Sequence, residues 1–171
     1  MIPKINHILY ATDLSKNSAY AFRYAINSAE KHNAQIHILH VDEKISAAVY
    51  AHLREYISPE KLEAITQEAK ENSLSKIKKR LMKFCERELL DKPLCLSKVT
   101  SVLVVEGDPA EEILQKADEV KADMVIMGTH GKGLLAHAFL GSVAEKVLHR
   151  IKIPVFIIPI PKETDIAFYD I

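Results

Sequence analysis

Short apolar runs and longer amphipathic stretches take turns along this chain. Ile5 to Ala11 carries the run Ile8-Leu9-Tyr10-Ala11 and reads as a buried strand. Thr12-Asp13-Leu14-Ser15 then supplies several residues suited to cap a helix. That helix extends to about Asn33, with Phe22, Ile26 and Ala29 on one face. Ile36 to Val41 is a second strand, ending in Asp42-Glu43. Ile45, Val49, Leu53 and Tyr56 or Ile57 recur at helical spacing and predict a short helix. Ser58-Pro59-Glu60 restarts the pattern, and from Glu60 to Lys92 there is no Gly or Pro. Leu62, Ile65, Ala69, Leu74, Ile77, Leu81 and Phe84 mark the expected apolar stripe of one long helix. Val99 to Glu106 is a β-branched strand, broken by Gly107. Asp108-Pro109-Ala110-Glu111 has the form of a capping box, with Asp as cap, Pro at the first position and Glu at the third. Ile113, Leu114, Ala117 and Val120 form the buried face behind it. Asp123 to Met127 is a strand, and Ser142 to Arg150 a helix with Ala144, Val147, Leu148 and Ile151 inward. Ile153 to Pro159 is a last strand with proline near both ends, which predicts an edge position.

Strands that alternate with amphipathic helices argue for an α/β fold, a parallel sheet covered on both faces. Such sheets bind ligands beyond the carboxyl ends of their strands, where the strand order reverses. The loops expected on that rim are 12–15, 42–44, 107–109 and 128–141. Four of the five glycines, Gly128, Gly131, Gly133 and Gly141, fall in the last of these. Glycine permits positive φ and lets main-chain N–H groups approach a ligand without a Cβ in the way. A strand, a glycine-bearing loop and a helix opening at Gly141-Ser142 is the layout of a phosphate site, because a helix N-terminus offers free N–H donors and partial positive charge. The loop is not a Walker A sequence, since no Ser or Thr follows Lys132. Ser142 is suited to bind phosphate through its hydroxyl or to cap the helix. His130 and Lys132 sit where phosphate charge would lie. Asp13 lands on the same rim, either as a ligand contact or as a cap of the first helix.

These segments resemble the universal stress protein family. Gly128-x2-Gly131-x9-Gly141-Ser142 has the spacing of that family's nucleotide signature. Ile8-Leu-Tyr-Ala-Thr-Asp13-Leu-Ser15, Val105-Glu-Gly107-Asp-Pro-Ala110, Ala122-Asp-Met-Val-Ile-Met-Gly128 and Ile153-Pro-Val155 resemble its flanking segments in the right order. The resemblance covers the chain apart from about 44–95 and the tail 160–171. It implies one Rossmann-like domain over residues 1–171, an open sheet of five parallel strands in order 3-2-1-4-5 with helices on both faces, and a homodimer. It also implies the ATP-binding branch, with ATP foremost, AMP or ADP as alternatives, and Mg²⁺ or Mn²⁺ alongside. By matched position the site would comprise Ala11, Thr12, Asp13, Val41, Met127, Gly128, His130, Gly131, Gly141, Ser142 and Val143. The glycines and Ser142 would hold phosphates and ribose, with Asp13 and the backbone at Val41 beside adenine and ribose. Ala11 stands where many members carry proline.

Composition narrows the partners. Lys+Arg and Asp+Glu both number 23, so the chain has no overall electrostatic footprint for nucleic acid or an anionic membrane. The cluster Lys76, Lys78, Lys79 and Arg80 reads as a solvated helix face. Cys85 and Cys95 have no C-x-x-C spacing, and the N-terminus has no apolar signal core, so a cytoplasmic protein with reduced thiols is expected. His37 and His40, three apart on a strand, face opposite sides and cannot share a metal. No nucleophile–base pair assembles on the rim. The expected function is an adenine-nucleotide-binding stress-response module, with a slow metal-dependent ATPase and a nucleotide-independent scaffold built on 44–95 as alternatives. The uncharged edge Val155-Phe-Ile-Ile158 predicts antiparallel self-pairing across a twofold axis.

Overall fold

The computed structural model describes residues 2–43, 47–88, 97–129 and 140–159. Five strands, β1 (His7–Thr12), β2 (Gln35–Glu43), β3 (Val99–Gly107), β4 (Met124–Gly128) and β5 (Val155–Ile158), form one sheet. The helices are α1 (Lys16–His32), α2 (Ala47–Arg54), α3 (Pro59–Glu88), α4 (Pro109–Glu119) and α5 (Ser142–Arg150). Strand order is β3-β2-β1-β4-β5, and every pairing is parallel. β5 therefore lies at an edge, as its flanking prolines require.

Because both faces are covered, alternation along each strand sorts side chains between two cores rather than between core and water. Ile8, Tyr10, Ile36, Ile38, Ile126 and Ile158 pack with Ala21, Phe22, Ala25, Ile26 and Ala29 of α1 and Ile77 of α3. Leu9, Leu39, Val125 and Met127 pack on the opposite face with Ile113 and Ala117 of α4 and Ala144 and Val147 of α5. Chain direction explains the division. Two steps run from β1 to β3 on one side of the sheet, and the chain then crosses back to β4 with its helices on the other side.

Two expectations about burial and one about capping need correction. On α3, Leu62 and Ile77 are buried, but Ile65 is 46% exposed and Ala69 is also exposed. Thr66, Ser73 and Leu74 are half-buried between Leu62 and Ile77, so the hidden face is narrower than the expected stripe, because α3 packs chiefly on β3 and α2. Leu148 of α5 is exposed, since Ala144 and Val147 already fill the contact with the sheet. The capping box of α4 is half formed. Asp108 Oδ1 accepts from the Ala110 and Glu111 amides at 2.9 and 3.1 Å. The Glu111 carboxylate is instead engaged by the Arg150 guanidinium of α5, which holds its pKa below the ordinary carboxylate value.

The end of α4 offers a direct test of local strain. The Ala122 amide donates to Ala117 O at 2.8 Å and the Lys121 amide to Asp118 O at 3.1 Å, a Schellman closure with Lys121 at φ 51°. A side chain with a Cβ is disfavoured in that left-handed conformation by about 1 kcal/mol. Lys121 is exposed. Lys121→Gly is expected to stabilise the fold by about 1 kcal/mol, raising Tm by roughly 2–4 °C in a thermal melt; a lowered Tm would contradict the strain argument.

Candidate functional site

The carboxyl end of β1 is built by short-range hydrogen bonds. Thr12 Oγ1 donates to Ser18 Oγ at 2.9 Å and accepts the Leu14 amide at 3.1 Å. Leu14 is thereby held at φ 62°, a conformation that is sterically costly for leucine. The Arg80 guanidinium of α3 donates to the Leu14 carbonyl, tying the long helix to this loop. Ser15 is the N-cap of α1, its hydroxyl accepting the Ser18 amide at 3.2 Å. Asp13 does not cap the helix. Its Oδ1 accepts from the Ser15 amide at 3.0 Å and the Ser15 hydroxyl at 2.7 Å, so it steadies the residue that caps. Asp13 Oδ2 is buried and has no hydrogen-bond partner among the described residues. Such an oxygen suits a donor from a ligand, a ribose hydroxyl or a hydrated cation.

β1 and β4 are neighbours with Tyr10 opposite Ile126, so Thr12 and Gly128 end side by side. This is the point where the strand order reverses, and sheets of this kind bind ligands there, beyond the carboxyl ends of their strands. Thr129 donates its amide to Ile158 O at 2.9 Å, and its carbonyl accepts the Gly141 amide at 2.8 Å. That last bond ties Thr129, at the exit of β4, to Gly141 at the mouth of α5. Gly141 is the N-cap of α5 at φ −73°, ψ 154°, and no side chain among the described residues caps the helix. Ser142 is thus the first helical residue, not the cap. The amides of Ser142, Val143 and Ala144 open the helix, where no intrahelical carbonyl reaches them. Among the described residues no glycine has positive φ.

The other expected site residues fall as follows. Ala11, Val41 and Val143 are half-buried against the α4–α5 core, and Met127 is buried within it. Val41 follows His40, which stands opposite Thr12 in the last pair of the β1–β2 ladder, and Val41 itself pairs with Val105 of β3. His130 and Gly131, with Lys132 and Gly133, lie outside the described residues. Two rim features escaped sequence reasoning. One is Arg80, which no local pattern connects to a loop 66 positions earlier. The other is His40, whose Nδ1 lies 2.8 Å from the Thr12 carbonyl oxygen and whose Nε2 lies 3.1 Å from Asp42 Oδ1. The only sequence signal for it is the i, i+2 spacing of His40 and Asp42, which puts both on one face of a strand end. His37 is at the opposite end of the sheet, with its rings and hydroxyl partners His7 and Ser101 at 3.2 and 2.8 Å. Burial pushes the His37 imidazole below its ordinary pKa, and the neighbouring His7 adds to that. Among the described residues no three His, Cys, Asp or Glu side chains gather as a metal cluster, and no helix is long and apolar enough to cross a membrane.

The profile of the universal stress protein family matches residues 4–159. The chain belongs to this family. Universal stress protein MJ0531 of Methanocaldococcus jannaschii is 30% identical over 156 residues, covering 91% of this chain and 83% of that protein. Universal stress protein MJ0577 of the same organism is 32% identical over 155 residues, covering 88% and 93%. Its solved structure superposes with a TM-score of 0.69 over 94% of this chain and 100% of its own. A universal stress protein solved in complex with cAMP is 25% identical, with a TM-score of 0.51 over 92% of this chain and 98% of its own. The five-stranded order 3-2-1-4-5 is the architecture this universal stress protein shares with those structures.

Proposed function

We propose that this universal stress protein is a cytoplasmic stress-response module that binds an adenine nucleotide, ATP foremost, in the crevice between the ends of β1 and β4. One observation carries the reading: across the switch point, the N-terminus of α5, with glycine as its cap residue, is on the same rim as a buried carboxylate oxygen of Asp13 that has no hydrogen-bond partner among the described residues. Helix amides and dipole favour phosphate, and the carboxylate favours a hydroxyl or a divalent cation, so the two ends of a nucleotide find opposite partners. The solved relative with cAMP supports an adenine nucleotide as the ligand class. Ala11, Thr12, Asp13 and Val41 form the adenine and ribose side of this site. Met127, Gly128, His130, Gly131, Gly141, Ser142 and Val143 form the phosphate side, and Asp13 is the side chain suited to an accompanying Mg²⁺ or Mn²⁺. With no nucleophile–base pair on the rim among the described residues, the proposed role is sensing rather than efficient turnover. Titration of Mg·ATP into nucleotide-stripped protein is expected to give saturable binding of one nucleotide per chain, and the native preparation to release adenine nucleotide on denaturation. No heat and no released nucleotide would refute the proposal.

The same reading takes the chain as a single domain that pairs with a second copy along β5. Phe156 is 43% exposed there, edge-on to Tyr24 of α1 with ring centroids 6.0 Å apart. An uncharged edge strand beside exposed aromatic rings is a template for antiparallel pairing. Light scattering behind size-exclusion chromatography is expected to return the mass of a dimer. A monomer mass at micromolar concentration would exclude this arrangement.

A further inference from the structure

The face that α3 turns away from the sheet carries a repeat of its own. Leu62 and Ile77 are buried on the β3 side, and Arg80 reaches the Leu14 carbonyl. Ile65, Glu68, Asn72, Ser75, Lys79 and Met82 are all exposed. Their spacing alternates between three and four residues, the heptad spacing of a coiled-coil seam. Ile65 at 46% and Met82 at 56% exposure leave large apolar side chains half in water at the two ends of that seam.

Charge is divided along the same helix. In 59–72 the acids Glu60, Glu63, Glu68 and Glu71 outnumber the bases Lys61 and Lys70. In 73–83 stand Lys76, Lys78, Lys79, Arg80 and Lys83, with no acid. A helix divided in this way complements a copy of itself only when the copy is reversed. With a twofold axis level with residues 73 and 74, Ile65 of one copy lies over Met82 of the other, Glu68 over Lys79 and Asn72 over Ser75. The layers match as apolar on apolar, acid on base and amide on hydroxyl. Glu71 and Lys78, on one flank of the seam, also approach each other across it. A parallel pairing would instead set Glu68 on Glu68 and Lys79 on Lys79. We propose that the outer face of α3 docks antiparallel on α3 of a second copy, in an isologous contact centred between Asn72 and Ser75.

α3 packs on β3, at the opposite edge of the sheet from β5, so this contact does not compete with pairing along β5. The seam has one apolar pair at each end and a polar centre, and an Asn at such a position fixes register at a cost in affinity. The contact is of the weak, reversible class, with a dissociation constant on the order of 0.1 mM. The copies part at the micromolar concentrations of an unfolding experiment. The proposal rests neither on nucleotide binding nor on the β5 contact.

Sedimentation of the full chain from micromolar to millimolar concentration is expected to show the mass doubling over that of the dilute species, whether the latter is a monomer or a β5-paired dimer. Lys79→Glu sets like charges together at both symmetry-related pairs and is expected to raise the dissociation constant about tenfold. Glu68→Lys should do the same. The double variant, Glu68→Lys with Lys79→Glu, restores acid–base pairs only in the antiparallel register and is expected to associate like the wild type. Both positions are exposed, so unchanged thermal melts at micromolar concentration will show that lost association is not lost fold. A mass independent of concentration, single variants that associate like the wild type, or a double variant no better than the single ones overturns the proposal. So does a chain that does not self-associate but is retained on an immobilised polyanion, which would assign the basic half of α3 to an acidic partner.

Discussion

Gly141→Asp is expected to make the protein more stable and unable to bind nucleotide. The backbone at Gly141 (φ −73°, ψ 154°) is one that any residue adopts, and it is the conformation of a helix cap. An Asp carboxylate there would accept the amides at the second and third positions of α5 and meet the positive end of its dipole. Together these are worth a few tenths to about 1 kcal/mol over glycine. The same amides are those proposed for phosphate, and the new negative charge repels it. A loss of about a hundredfold or more in ATP affinity follows, about 3 kcal/mol at 1.4 kcal/mol per decade. Opposite signs in stability and binding separate an occupied anion site from simple misfolding. Paired thermal melts and calorimetric titrations give the answer, and a variant that binds ATP like the wild type would show that α5 does not hold the phosphates. The missing cap is thus a small stability deficit at the place where the ligand is proposed to sit, as expected of a site whose donors are kept open.

The second large effect lies in the core. Ile126, at the centre of β4, is 0% exposed and faces α1 across the sheet. Ile126→Ala removes buried methyl groups and leaves a cavity the surrounding strands cannot close, at a cost of about 2–5 kcal/mol. Against a total of about 5–15 kcal/mol for a typical protein, that is a large fraction of stability. Ile65→Ala, on the 46%-exposed face of α3, should change stability by less than about 1 kcal/mol. Urea midpoints of the two variants test the pair. Equal losses would mean that the exposed face of α3 is covered in solution.

That contrast marks how far sequence reasoning reaches. Periodicity placed the helices at 16–32, 109–119 and 142–150 and all five strands to within a few residues, because each element must hide its apolar positions and the period reveals how. On α3 the same reasoning placed Leu62 and Ile77 correctly but made the hidden face too wide. A helix that packs mainly on one edge strand and a short neighbour needs only a narrow contact, so apolar residues such as Ile65 remain outside it.

The candidate site divides in the same way. The glycine spacing, Asp13 and the Gly141-Ser142 opening were legible in sequence, since each is a local pattern with a local reason: a loop, a strand end, a helix start. What the tertiary structure decided was that Ser15, not Asp13, caps α1, that Gly141 leaves α5 without a side-chain cap, and that Arg80 and His40 reach the rim. The reach of Arg80 and His40 depends on which elements become neighbours. Parallel pairing brings Thr12 opposite His40 and β4 beside β1, and packing of α3 on β3 brings Arg80 to Leu14. Contacts between positions 28 and 66 apart leave no period in a sequence; they exist only once the sheet order is set.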